Sequence, residues 1–197
     1  AYDSDEAIEV IDKIYETLKV SSYRESVELA KERGSFPSFD WDTEKDNLFI
    51  KSLPEDLQES IKKYGRRNIA NTTTAPAGSV SCLTQTTSGI EPAFMLYYKR
   101  RKKVQGDEEV TFVDDLGDKW TEFNVYHHGF KKWMDSTDAD CEWEKDDLEV
   151  AVSHSPYAGA TANEIDWRAK VKLQSVAQKW ICHAISNTTN LPSDIDV

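Results

Sequence analysis

The chain has 197 residues, of which 39% are hydrophobic and 30% are charged, a composition typical of a globular protein with a packed core. Its 36 acidic and 24 basic side chains give a net charge of -12, which argues against binding a nucleic-acid polymer because the phosphates would be repelled. No apolar run approaches the ~20 residues of a transmembrane helix, so we expect no membrane partner.

The start of the chain is acidic and lacks an initiator Met, and it resembles neither a signal peptide nor a transit peptide. It is typical of a chain cut within a longer protein. The cysteines, Cys82, Cys141 and Cys182, match no zinc or redox spacing. An odd cysteine count without a signal peptide indicates reduced thiols, so the sequence predicts a cytoplasmic protein.

Two helices are predicted in the first third of the chain. Residues 3–34 place apolar side chains at helical spacings, and these are expected to form one face: Ile8, Ile11, Ile14, Tyr15 and Leu18. Gly34 is expected to end this helix. Residues 53–65 predict a shorter helix, which begins after Pro54 and ends at Gly65.

The middle of the chain is expected to contain strands. Asn68–Thr74 is rich in β-branched residues, 92–101 looks like a buried strand, and 108–115 predicts a third strand. The basic run Lys99–Lys103 is predicted to be a solvated turn between strands, with a phosphate or subunit contact as the alternative.

Further along, residues 118–135 are a helix candidate weakened by Gly129, and 138–159 are expected to be mostly loop. Residues 162–186 predict a helix whose broad apolar face comprises Ile165, Val171, Leu173, Val176, Trp180 and Ile181. Residues 187–192 predict a last strand. The alternation favours an α/β fold with crossover helices, and the few strands suit a sector of a larger barrel better than a closed domain.

The stretch TAPAGSVS, residues 74–81, predicts a strand that leads into a short helix. Gly78 has no Cβ, so a ligand can approach its backbone closely. The unpaired N–H groups of a first helical turn favour an anion, and the hydroxyls of Ser79 and Ser81 add donors. No Gly-Lys-Ser/Thr follows, so this is not a Walker loop. A plain turn that caps a helix remains the alternative.

Residues 66–101, RRNIANTTTAPAGSVSCLTQTTSGIEPAFMLYYKRR, resemble the signature region of the ribonucleotide reductase large chain. Residues 171–192, VKLQSVAQKWICHAISNTTNLP, resemble that family's helix and following strand, and residues 2–18 fit its upstream helix. The resemblance is thin over 104–154. The Asn-Leu-Pro ending is most similar to the adenosylcobalamin-dependent class II branch, and the diiron-dependent class I branch is the near alternative.

The resemblance implies that 1–197 is a single segment, the C-terminal portion of a ten-stranded α/β barrel. It implies that the whole enzyme reduces ribonucleotides to deoxyribonucleotides through a cysteine thiyl radical. The loop at 75–82 would bind substrate phosphate, mostly through backbone N–H groups of Ala77, Gly78, Ser79, Val80 and Ser81. Ala77 stands where the family often has Thr, so one hydroxyl is absent.

No catalytic residue is assigned to this chain, because the finger-loop motif with the radical cysteine and the terminal redox cysteines are not found in it. The resemblance therefore implies an N-terminal portion as partner, which brings those cysteines and holds most of the adenosylcobalamin. Unpaired strand edges of a barrel sector also make a homo-oligomer possible. The rival hypotheses are a non-catalytic nucleotide- or protein-binding module and a structural fragment without a ligand.

Several other residues carry weaker hypotheses. Asn68 and Glu91 are possible site-shaping residues near the nucleotide, and the alternative for Glu91 is a carboxylate that caps local backbone. Cys82 is expected to be a small packed side chain, and Cys182 is expected to lie within the late helix in the core or at an interface. The four His are expected to have surface or core roles without a metal, and the acidic stretch 135–147 is expected to be solvated loop.

Overall fold

A computed structural model describes residues 2–137 and 147–189. The elements in these ranges are α1 Asp5–Arg33, α2 Trp41–Glu44, α3 Leu48–Lys51, α4 Glu55–Tyr64, α5 Gly78–Thr84, β1 Tyr97–Lys103, β2 Phe112–Val113, β3 Lys119–Tyr126, α6 His128–Thr137, α7 Leu148–His154 and α8 Trp167–Gln178. They divide between two compact units. Unit 1 comprises Ala1–Gly78, Ser88–Glu91 and Asp166–Val197, and unit 2 comprises Ser79–Thr87 and Pro92–Ile165.

The ends of α1 are set by local chemistry, and its end at Gly34 is as the sequence predicts. The hydroxyl of Ser4 accepts a hydrogen bond from the Ala7 amide at 3.2 Å, and acidic residues fill the first turn, where the helix dipole favours them. At the other end Gly34 has φ 77°, and its N–H donates to the carbonyl of Ala30. A residue with a Cβ would be strained in that conformation.

The predicted apolar face of α1 is only partly correct. Ile11 and Tyr15 pack against buried residues of unit 1, but Ile14 is 54% exposed and Leu18 is 45% exposed. The fully buried positions lie mostly later in the helix. There Tyr23 and Val27 share a core with residues from the following short helices and α4, namely Ile50, Leu53, Leu57 and Ile61. The second half of α1 therefore carries the main packing surface.

The other helices of unit 1 follow their predicted limits to different degrees. Helix α4 begins after Pro54 and ends at Gly65, which has φ 72°, so this prediction is confirmed. Helix α8 is shorter than predicted, because it ends at Gln178 and the next residues turn into an extended segment. Its buried side chains include Leu173, whereas Val171 is 47% exposed.

The sheet belongs to unit 2 and is antiparallel, with strand order β1-β3-β2. The expectation of a parallel sheet with crossover helices is therefore wrong for this sheet. Residues 118–135 are also not one helix, since they form β3 followed by α6. Strand β1 is mostly exposed rather than buried, and the basic run Lys99–Lys103 lies inside it rather than in a turn.

Only one parallel pairing is found among the described residues. Thr74 bridges Ile185, flanked by hydrogen bonds from the Thr74 amide to the Ala184 carbonyl and from the Ser186 amide to the Thr74 carbonyl. The strand predicted over 68–74 is thus reduced to this bridge. Residues 187–189 form no strand, and 190–192 lie outside the described residues.

The fold is a mixture of helices and strands with an open sheet, which agrees with the predicted α/β composition. The expectation of mostly loop over 138–159 is corrected by α7 in its second half, while 138–146, with Cys141 and most of the acidic stretch, lies outside the described residues. Within the described ranges, no helix combines the length and apolar character that crossing a bilayer requires.

Candidate functional site

The approach to the candidate loop is fixed by a buried arginine and by a serine of α1. Arg66 is only 4% exposed, and its guanidinium donates to the Asn68 carbonyl at 2.7 Å and to the Glu44 carboxylate at 2.8 Å. The Ser26 hydroxyl accepts from the Asn68 amide and donates to the Asn68 side chain. Asn68 is therefore held by α1 through its backbone amide and its side-chain oxygen.

The Thr-rich segment before the loop is tied to the segment that follows α8. The backbone amides of Asn71 and Thr72 both donate to the sulfur of Cys182 at 3.1 Å. The Thr73 hydroxyl donates to the Ala184 carbonyl at 2.8 Å, and the Thr74 hydroxyl lies 3.0 Å from the Tyr15 hydroxyl. These hydrogen bonds hold residues 71–74 in an extended conformation immediately before the loop.

Cys182 lies after α8 rather than within it, which corrects the prediction for this residue. Its thiol is half-buried, and burial by itself raises the pKa. Hydrogen bonds from Thr72, from the Asn71 amide and from Tyr23 outweigh that effect, and the pKa of the thiol is lowered. Cys182 therefore joins two chain segments as a hydrogen-bond acceptor.

The candidate loop itself runs from Pro76 into α5, and the division between the two units falls between Gly78 and Ser79. On the unit 1 side, the Ala77 amide donates to the Ser88 carbonyl at 2.7 Å. Gly78 is exposed, and a Cβ built on it would meet no atom within 4 Å. The backbone of Gly78 is thus open to close approach from outside.

On the unit 2 side, α5 is the short helix that the sequence predicts. Ser79 and Val80 are exposed, and their amides donate no hydrogen bond within the described ranges. Ser81 is 8% exposed, and its carbonyl accepts from the Thr86 amide at 3.1 Å, which closes the helix near Gln85, a residue with φ 57°. The first turn therefore presents two consecutive backbone donors to solvent.

Cys82 is exposed on α5, so the prediction of a small packed side chain is wrong. Its neighbour Leu83 is 84% exposed, which shows that this whole face of the short helix makes little contact inside the described chain. The sequence pattern does not reveal this, because a small residue beside an apolar one is usually buried.

Glu91 follows the loop in unit 1, and its carboxylate lies over Gly89. One of its oxygens is buried and has no hydrogen-bond partner among the described residues. The alternative in which Glu91 caps local backbone stays a prediction. Burial and the nearby Glu91 carboxylate raise the pKa of Tyr2 to about 12. The Tyr2 hydroxyl stays protonated and donates to the Ile90 carbonyl at 2.8 Å.

Within the described ranges, no three His, Cys, Asp or Glu side chains converge. Burial lowers the pKa of His127, and His128 beside it acts in the same direction. The residues that the sequence analysis missed are buried cations, Arg66 and Lys19, because hydrophobic periodicity treats a charged residue as part of the exposed face.

The whole chain, residues 1–197, matches the family model described as "Ribonucleotide reductase, barrel domain". The chain belongs to the ribonucleotide reductase family. It is 30% identical to the vitamin B12-dependent ribonucleoside-diphosphate reductase of Thermoplasma acidophilum over 197 residues, which cover 98% of this chain and 22% of that protein.

Two further relatives of this reductase chain match about half of it. The vitamin B12-dependent ribonucleoside-diphosphate reductase of Mycobacterium tuberculosis is 34% identical over 99 residues, which are 50% of this chain and 12% of that protein. The ribonucleoside-diphosphate reductase subunit alpha of Treponema pallidum is 28% identical over 108 residues, covering 52% and 13%. The chain therefore spans between about an eighth and a quarter of the curated relatives it matches.

Proposed function

We propose that this chain supplies the substrate phosphate-binding loop of a ribonucleotide reductase, an enzyme that replaces the ribose 2′-hydroxyl of a nucleotide by hydrogen. The observation that carries the proposal is the exposed first turn of α5, beside an open Gly78, in a chain that matches the reductase barrel along its whole length. In the proposed enzyme a cysteine thiyl radical, contributed by another portion of the reductase, performs the chemistry.

The proposed phosphate donors are the backbone N–H groups of Ser79 and Val80, joined by the Ser79 hydroxyl, and Gly78 beside them lets phosphate approach because it has no Cβ. Backbone amides at a helix start attract anions because they are not used within the helix and the dipole is positive there. The Ala77 amide is engaged by Ser88, so Ala77 acts in the proposal as part of the loop scaffold. Ser81 is buried and shapes the helix behind the donors.

Asn68 and Glu91 have supporting roles in the proposal. Asn68 holds the approach segment against α1, so it positions the loop rather than touching the nucleotide. Glu91 carries a buried carboxylate oxygen without a partner in the described ranges, which is costly unless a donor reaches it. We assign that donor to the assembled enzyme, from the nucleotide or from another portion of the reductase.

Adenosylcobalamin is the cofactor that the B12-dependent relatives' names support for the whole enzyme. The depression beside α4 does not fit it. The depression beside α4 has a volume of 640 Å³, but Glu59, Lys62 and Lys63 line it, and charged side chains do not fit the apolar faces of a corrin ring. We therefore assign the cofactor mainly to the portion of the reductase outside this chain.

The test removes one backbone donor at a time in the assembled reductase. Ser79→Pro deletes a backbone N–H, and proline is tolerated in the first turn of a helix, so folding should be preserved. Ser79→Ala keeps the N–H and removes the hydroxyl. We expect Ser79→Pro to weaken substrate binding by about tenfold or more, the loss of about 1.4 kcal/mol, and Ser79→Ala to have a smaller effect.

A second pair of variants tests access to the loop. Gly78→Val should block the approach of phosphate, whereas Gly78→Ala adds a Cβ that meets nothing within 4 Å and should bind nearly normally. Equal substrate affinity for Gly78→Val and the natural chain would show that phosphate does not bind here. If the chains associate and bind nucleotide but form no deoxynucleotide, the non-catalytic binding module is favoured instead.

A further inference from the structure

The outer edge of β1 is open for strand addition. In the order β1-β3-β2, strand β1 pairs with β3 along all seven residues, from Tyr97–Tyr126 to Lys103–Trp120, and has no strand on its other side among the described residues. An edge strand presents a row of backbone N–H and C=O groups that can pair with another extended chain. A peptide of similar length therefore fits along this edge.

The charge on this edge is opposite to that of the chain as a whole. Five consecutive basic residues, Lys99–Lys103, stand in a chain of net charge -12. Lys99 and Arg101 share the single carboxylate of Glu122, at 3.7 and 2.7 Å. Arg100 forms no ion pair in the described ranges. Lys102 pairs with Glu108 at 2.5 Å and Lys103 with Asp118 at 2.6 Å. Three carboxylates thus face five cations on β1, and Arg100 is the cation that they leave unpaired in the described ranges.

The positive charge decides which occupant the edge accepts. A second copy of β1 would place basic residues opposite basic residues, and like charges directly across a pair of strands are destabilising. An acidic strand places opposite charges across the pair. Tyr98, Arg100 and Lys102 lie on one face of β1, and Phe123 of β3 lies opposite Arg100 on that face. Tyr98 is 44% exposed and Phe123 is 42% exposed. That face offers apolar contact beside the cations.

We propose that the outer edge of β1 binds an acidic segment of another protein in an extended conformation, as an additional strand of the sheet. Backbone hydrogen bonds provide the part of the affinity that does not depend on the peptide's sequence. Acidic side chains opposite Arg100 and Lys102, with an apolar residue beside Tyr98, provide the selectivity. This surface lies in unit 2 and is independent of the proposed phosphate loop.

The test uses a fluorescein-labelled synthetic peptide, Thr-Glu-Thr-Glu-Thr-Val-Thr, which in antiparallel pairing sets its two Glu opposite Lys102 and Arg100 and its Val opposite Tyr98. Binding to the full chain is followed by fluorescence anisotropy. We expect saturable binding that Arg100→Glu weakens by about tenfold or more, which corresponds to about 1.4 kcal/mol. Lys13→Glu is the matched control, because Lys13 is an exposed cation on α1 without an ion pair in the described ranges, and its affinity should stay within about twofold.

A second measurement separates strand addition from charge attraction alone. The same peptide with N-methyl groups at alternate residues keeps its charge but loses its edge of N–H donors, and its binding should be lost. Hydrogen exchange of β1 should slow with the unmodified peptide. Equal binding of the methylated peptide, no binding at all, an unchanged affinity of Arg100→Glu, or tighter binding of a single-stranded oligonucleotide would each overturn the proposal.

Discussion

Replacing Lys19 by methionine should stabilise the protein near neutral pH. Lys19 is fully buried, with its ammonium 2.6 Å from the Ser52 hydroxyl and 3.6 Å from the centre of the Phe49 ring. Burial is the main cause that lowers the pKa of Lys19 from 10.5 to about 8, against an opposing effect of Cys182. At about 1.36 kcal/mol per pKa unit, the folded state disfavours the charged form by about 3 kcal/mol.

Two interactions lost in Lys19→Met reduce the expected gain. The hydrogen bond to Ser52 is worth about 1 kcal/mol and the cation–π contact about 0.5 kcal/mol. The Ser52 hydroxyl keeps its own bond to the Phe49 carbonyl, so no buried hydroxyl is left without a partner. We therefore expect Lys19→Met to raise the free energy of unfolding by about 1.5 kcal/mol at pH 7.

The pH dependence gives this prediction its sharpest test. Lys19 has a lower pKa in the folded chain than in the unfolded chain, so between about 8 and 10.5 the unfolded chain binds the extra proton. Stability of the natural protein then rises with pH by at most about 1.36 kcal/mol per unit relative to Lys19→Met. The advantage of the variant should therefore disappear by about pH 9.5.

The measurement is urea unfolding of both proteins at pH 7, 8.5 and 9.5. Taking the difference between them cancels the titration of tyrosines that both share. Lys13→Met, at an exposed position on the same helix, is the control and should show no pH-dependent difference. A variant that is less stable at pH 7, or a difference that stays constant up to pH 9.5, would mean that the Lys19 ammonium is solvated.

Two further predictions concern unit 1 and use the same unfolding assay. Gly65→Ala should lower the free energy of unfolding by about 3 kcal/mol, and Gly34→Ala should lower it by only about 1 kcal/mol. Both glycines have positive φ, but only a Cβ at Gly65 would meet another side-chain carbon, at 2.6 Å. Equal losses in the two variants would contradict this explanation. Hydrogen bonds from Lys179, and to a smaller extent from Trp180, lower the pKa of Asp12. Asp12→Asn should therefore be less stable than the natural protein above pH 3.8, and the difference should vanish as pH falls through the folded pKa. A difference that persists in acid would contradict this.

The helices were predictable where short-range chemistry defines them. Ser4 and Gly34 set the limits of α1, and Pro54 and Gly65 those of α4, through contacts that span a few residues. The buried face was less predictable, because it depends on which elements pack against the helix. Lys19 shows the difference, since a lysine becomes a core residue only when Phe49 and Ser52 come to lie over it.

The strands were less predictable because pairing decides them. Residues 119–126 mix polar and apolar residues in a pattern that does not separate strand from helix, although their aromatic and β-branched content favours a strand. Strand β3 forms because β1 and β2 lie on either side of it. Conversely, Asn68–Thr74 has strong strand composition, yet only Thr74 pairs with Ile185 in the described chain.

The candidate loop combines both cases. The exposed Gly78 and the short helix after it follow from residues that are adjacent in sequence, so they could be predicted. The engagement of the Ala77 amide depends on Ser88, which returns to the loop from eleven residues further along the chain in a turn that no local pattern defines. Since a backbone N–H can serve only one strong acceptor at a time, that return contact moves the proposed phosphate donors toward Ser79 and Val80. Ser79→Pro is consequently the more decisive substitution, because it removes a donor that no described residue uses as a hydrogen-bond partner.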